Sequence, residues 1–94
     1  MSYALIVRSG DRAACIVLNA DPKNADLTVQ LFTFNVPIFD PGTCPGTATG
    51  GSCDQQVVFS DGVDHLVNCV VTTTTKNVRT SFMNVTTGNN AEAK

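Results

Sequence analysis

The sequence predicts an all-β domain, a small two-sheet β-sandwich of immunoglobulin-like architecture with about six strands and no significant helix. Three observations carry this expectation. Runs of branched and aromatic residues recur along the chain, bounded by Gly, Pro, Asn and Asp. No segment repeats its apolar residues at helical spacing. Two of the runs are apolar in the middle of their half of the chain, one carrying Cys15 and the other Cys69.

The elements follow in order. Tyr3–Arg8 alternates and is rich in branched residues, and Ser9-Gly10-Asp11 after it is turn chemistry. Ala13–Ala20 is apolar on both faces, which predicts a central strand covered on each side. Asp21-Pro22-Lys23-Asn24 fits a turn with Pro22 presetting φ at its second position, and Leu27–Phe34 is the next strand. Residues 35–54 then read as a long irregular loop holding three of the four prolines and most of the glycines. Val36, Ile38 and Phe39 at its start are expected to pack back onto the core. Gln55–Ser60 is a strand, Asp61-Gly62 a type I′ hairpin turn, Val63–Thr75 a long strand, Lys76-Asn77 a second two-residue turn, and Val78–Thr86 the last strand. The expectation is two three-stranded meanders stacked face to face, forming one domain over residues 1–88 with a polar, mobile tail at 89–94. The tryptophan of true immunoglobulin domains is missing, and Val67 stands where their corner tyrosine would precede Cys69.

A chain of 94 residues holds one modest core and gains from covalent cross-links. An even cysteine count in such a chain predicts a disulfide framework, and four cysteines allow three pairings. The favoured set is Cys44–Cys53, closing a short Gly/Pro-rich loop, with Cys15–Cys69 joining two distant strands. A Cys₄ zinc site normally takes its ligands in close pairs, whereas here the nearest pair has eight residues between its members. Disulfides imply an oxidising compartment.

Charged residues make up 15% of the chain, and the formal net charge is −2. The basic residues are scattered, which argues against nucleic-acid binding, since that draws on clustered Lys and Arg. No apolar stretch approaches the length of a membrane helix, so membrane insertion is not expected. No secretory leader is visible, so an extracellular, cell-surface or virion location implies a mature fragment or release by another route.

Several residues invite a chemical reading. His65, with Asp64, Asp61 and Ser60 nearby, suggests a hydrolase triad, but adjacent strand residues point to opposite faces, so Asp64 cannot orient His65 in a regular strand. The expectation is a surface histidine beside a hairpin and no catalytic residue. Asp21, Asn24 and Asp26 could offer oxygens to calcium, yet they lack regular calcium-loop spacing and read as turn caps, so no metal or cofactor is expected. Asn84-Val85-Thr86 is an N-glycosylation acceptor pattern. The run Thr72–Thr75 could present hydroxyls from Thr72 and Thr74 to a partner, and Phe39 and Asp40 in the long loop could anchor a ligand such as a sugar. Low charge, abundant Thr and Asn, and strand edges open to pairing favour a non-catalytic structural or assembly protein such as a coat, fibre or cell-surface subunit. Its partners would be copies of itself or another protein. The alternative is an extracellular binding module, lectin-like in using the 35–54 loop to take carbohydrate or a protein surface.

Overall fold

The computed structural model describes residues 2–90, 92 and 93. Its strands are β1 (Ser2–Val7), β2 (Arg12–Asn19), β3 (Ala25–Thr33), β4 (Val36–Pro37), β5 (Gly42–Thr47), β6 (Ser52–Val58), β7 (His65–Thr73), β8 (Val78–Asn84) and β9 (Glu92–Ala93). They form two antiparallel sheets that pack as a β-sandwich. The larger has the order β4-β3-β7-β1-β9, with β5 also pairing along β3, and the smaller has the order β6-β2-β8.

Two-residue alternation builds the core. Val7, Leu27, Val29, Leu31, Val67, Cys69 and Val71 face inward from the large sheet, and Ala13, Cys15, Val17, Val57 and Phe82 face them from the small one. Cys15 and Cys69 lie in the central strands of the two sheets and are disulfide-bonded, with their Cα atoms 6.4 Å apart. Cys44–Cys53 joins β5 to β6 across one edge of the sandwich at a Cα separation of 5.9 Å. Both favoured pairings are present, and no described cysteine is free.

The six predicted strands all form, but the stacked meanders do not. β1, β3 and β7 share one sheet while β2, β6 and β8 make the other, so the chain crosses between sheets after β1, β2, β5, β6, β7 and β8. The segments Ser9–Asp11, Asp21–Asn24, Asp61–Gly62 and Lys76–Asn77 are therefore arches between layers rather than hairpin turns. At Asp61-Gly62 only the glycine has a positive φ, of 75°, whereas a type I′ turn needs two such residues. Hairpins and arches use the same turn residues, which is why local sequence does not separate them. The immunoglobulin strand order is also altered at its ends: β1 lies beside β7, where that fold places its last strand, and β8 lies beside β2, where it places its first.

The type I′ turn that does occur is Phe34-Asn35, at φ 49° and 64°, between the paired residues Thr33 and Val36. Asn tolerates this conformation, whereas Phe adopts it against a steric penalty of about 1–2 kcal/mol.

Residues 35–54 are not an irregular loop, because β4 and β5 within it pair along the β3 edge and β6 begins at Ser52. Ile38 packs on the core as expected, but Val36 and Phe39 are exposed. Where β3 passes from β5 to β4, the side chain of Gln55 reaches in from β6. Its Oε1 accepts from Leu31 N at 3.0 Å, and its Nε2 donates to Asp40 O at 2.6 Å. Gly42 leaves the room for this, since a Cβ there would lie 3.3 Å from the Gln55 side chain. β2 is not covered on both faces either, as Ile16 is exposed on the outer side. The segment predicted as a tail is partly tied down: Asn90 bridges to Met83 and β9 pairs with Tyr3 and Ala4 of β1. Residues 91 and 94 of that segment lie outside the described residues.

Candidate functional site

At one end of the sandwich, β3 and β7 bring Thr33 and His65 inward while the chain leaving β6 adds Phe59 and Asp61. His65 Nε2 lies 2.7 Å from Asp61 Oδ2, and its Nδ1 lies 3.1 Å from Thr33 Oγ1. The ring stacks on Phe59 with centroids 3.8 Å apart and planes within 9°. The His65 side chain is 14% exposed, so it is not the surface histidine the sequence suggested. The hydrogen bond from His65, followed by that from Val63 N, holds the Asp61 carboxyl below the ordinary carboxylate range. An acid, an imidazole and a hydroxyl in sequence resemble a hydrolase relay. However, Phe59 occupies one face of the ring, and the hydroxyl comes from an inward-facing Thr on a regular strand. A relay also requires oxyanion donors beside its nucleophile. The arrangement closes the end of the core with matched polar groups.

The opposite end is also held by polar side chains. Asn19, fully buried, donates from Nδ2 to Lys23 O at 3.0 Å and Thr47 O at 2.8 Å, and accepts from Asp21 N at 2.8 Å. Asp21 accepts from Thr75 Oγ1 at 2.6 Å, Asn77 Nδ2 at 3.1 Å and Lys23 N at 2.9 Å. The Thr75 bond, then those from Lys23 N and Asn77, lowers its pKa. Asp26 accepts from Gly46 N at 2.8 Å. The carboxylates considered for calcium thus bind the protein's own backbone and arches, Asp26 on β5 and Asp21 on the arches around it, and Asn24 is exposed. No group of three or more metal-binding side chains occurs among the described residues.

The other sequence candidates separate in space. Asn84 is 3% exposed; its Nδ2 donates to Asp11 Oδ2 at 3.0 Å, and its Oδ1 accepts from Thr86 N and Thr87 N. A glycan on that nitrogen is incompatible with this packing, so Asn84 acts as an internal clamp on the β8 turn. Thr74 Oγ1 accepts from Asp26 N at 2.9 Å, which leaves Thr72, exposed and paired with Thr28, as the outward threonine of β7. Phe39 and Asp40 present exposed side chains on the link between β4 and β5, while their carbonyls accept from Gln30 and Gln55.

One feature that internal contacts do not consume is the outer face of the large sheet. Register places Gln30, Val70 and Ser2 in one row and Phe32, Asn68 and Ala4 in the next, with Leu66 beside Ile6 after them. Ile6 is 63% exposed and Leu66 42%. A shallow groove of about 510 Å³ runs over Phe32, Leu66, Asn68 and Val70. This face was not singled out from the sequence, because no facing was assigned to the residues of β1, β3 and β7. The signal available was that Leu66 and Val70 alternate with Val67, Cys69 and Val71, so both faces of β7 are apolar. Compared with known proteins, the chain matches no family model, no curated protein and no solved structure. No helix among the described residues is long and apolar enough to cross a membrane.

Proposed function

We propose that the protein is a non-catalytic assembly subunit working in an oxidising setting, as part of a coat, a fibre or a cell surface. The observation that carries this reading is the uncovered apolar face of the large sheet, with Ile6, Phe32, Leu66 and Val70 turned outward. A contiguous apolar patch on a small domain marks a contact surface. The chemistry-bearing side chains support the same reading from the other direction, because His65, Asp61, Asp21 and Asn84 are spent on closing the ends of the sandwich. Two disulfides suit an oxidising environment. Sedimentation velocity and negative-stain microscopy of the oxidised protein at neutral pH test the proposal. Concentration-dependent association is the expected result, and a clean monomer at high concentration counts against it.

A second reading, a binding module for carbohydrate or a protein surface, rests on Phe39, which is 47% exposed beside Asp40 on the β4–β5 link. A glycan array with and without calcium, together with Phe39→Ala, tests it. No binding in either condition removes the carbohydrate form.

A further inference from the structure

We infer that the outer face of the large sheet packs against the same face of a second copy, about a two-fold axis passing close to Asn68. This rests on the assembly reading above and names its partner and geometry.

Three observations select a second copy. First, the centre of the face is uncharged: across β1, β7 and β3 it presents Ser2, Ala4, Ile6, Leu66, Asn68, Val70, Gln30 and Phe32, with charged residues at its margins, Arg8 and Asp26 at the ends and Glu92 of β9 in register with Ala4. Copied about an axis at its centre, such a surface brings no like charges together there. Second, the polar group at its centre is Asn68, flanked in register by Phe32 and Ala4 and hydrogen-bonded by its side chain to no described residue. Covering an amide without a partner is unfavourable. An amide carries both donors and an acceptor, so a second Asn68 across a two-fold satisfies it, as in a self-complementary isologous contact. A lone Asn in an apolar seam also fixes register, a role best known from coiled coils. Third, the area fits a weak, reversible contact. Strands β3, β7, β1 and β5, of 9, 9, 6 and 6 residues, at ~3.4 Å per residue and ~4.8 Å spacing cover on the order of 500 Å² with their charged margins included, just under the ~600 Å² per partner of the smaller specific interfaces. Sheets packed in this way lie about 10 Å apart and cross near 30°, the geometry already used inside the domain.

The test is sedimentation of the oxidised protein from ~10 μM to ~1 mM at neutral pH, a range that brackets a dissociation constant near 100 μM. Asn68→Asp and Leu66→Lys are expected to weaken the association at least ~10-fold by placing like charges at the axis. Val58→Lys, on the exposed face of the small sheet, is expected to leave it unchanged. For Asn68→Asp, association returns as pH falls below about 4, where the new carboxyl is neutral. In the unmodified protein, the Asn68 side-chain amide and the methyl resonances of Ile6 and Leu66 shift with concentration while those of Val58 do not, a readout that requires no variant to fold. Association that survives both face substitutions, with those resonances unmoved, overturns the inference and leaves the assembly reading standing. A wild-type monomer at ~1 mM overturns both.

Discussion

Replacing Asn19 by Ala removes the polar hub at one end of the sandwich. The side chain is fully buried and makes three hydrogen bonds, to Lys23 O, Thr47 O and Asp21 N. Its own main chain extends the tie, donating to Gly51 O at 2.9 Å and accepting from Gly50 N at 2.8 Å. One residue thus holds the β2–β3 arch, the end of β5 and the β5–β6 turn together. An internal hydrogen bond contributes about 1 kcal/mol net, while a buried group left without its partner costs about 1–3 kcal/mol. Lys23 is exposed, so water can replace the bond to its carbonyl, whereas Thr47 is half-buried and replacement there is incomplete. The loss should therefore total about 3 kcal/mol, a large share of the ~5–15 kcal/mol that holds a domain folded. Urea unfolding with the disulfides intact reads this directly. At a slope of about 2 kcal/mol per molar, the midpoint falls by roughly 1.5 M with the slope unchanged. Asn19→Asp should cost at least as much, because it loses both donors and turns a carboxylate toward two carbonyls. Asn24→Ala, exposed in the same arch, should stay within about 0.5 kcal/mol. If Asn19→Ala also fell within about 0.5 kcal/mol of wild type, the hub argument would be wrong.

Thr80→Val is expected to stabilise the protein by up to about 1 kcal/mol, because the buried Thr80 hydroxyl has no hydrogen-bond partner among the described residues and Val keeps its shape; a lowered urea midpoint would contradict this. Removing the cross-links as pairs should rank by loop length. Loss of Cys15–Cys69, spanning 54 residues, is expected to cost about 4 kcal/mol, and loss of Cys44–Cys53, spanning 9, about 2.7 kcal/mol. Denaturant melts of Cys15→Ala/Cys69→Ala and Cys44→Ala/Cys53→Ala check the order, and the reverse order would contradict it. Asp61 has a lowered pKa in the folded state, so its contribution is present above the unfolded value near 3.8 and is lost as pH falls through the folded one. Asp61→Asn should therefore flatten the acid limb of the stability–pH curve, and an unchanged limb would place the acid sensitivity at another group.

The candidate surface was less legible than the fold. Leu66 and Val70 were visible as apolar residues of a long strand, but apolar residues on both faces of a strand fit coverage on two sides as well as an open contact face. The His65 cluster was hidden for a different reason. The partner is Asp61, four residues earlier and across the arch, rather than adjacent Asp64, and the ring's other contacts, Thr33 and Phe59, come from distant strands. Asn84 matched a glycosylation pattern, but its clamp uses the backbone N–H groups two and three residues on, which any residue except proline supplies, so the Thr86 that completes the pattern carries no information about the turn.

By itself the sequence determined the all-β class, the six strands β1, β2, β3, β6, β7 and β8, and the two disulfide pairings. These follow from the two-residue period of a strand and from the geometry that lets only facing or neighbouring strands be bridged. Tertiary structure alone decided which strands became neighbours. A turn residue specifies a reversal of direction but not whether the chain returns within its sheet or crosses to the facing one. Side chains distant in sequence made that choice here, with Asn19 reaching Thr47, Asp21 reaching Thr75 and Gln55 reaching Leu31.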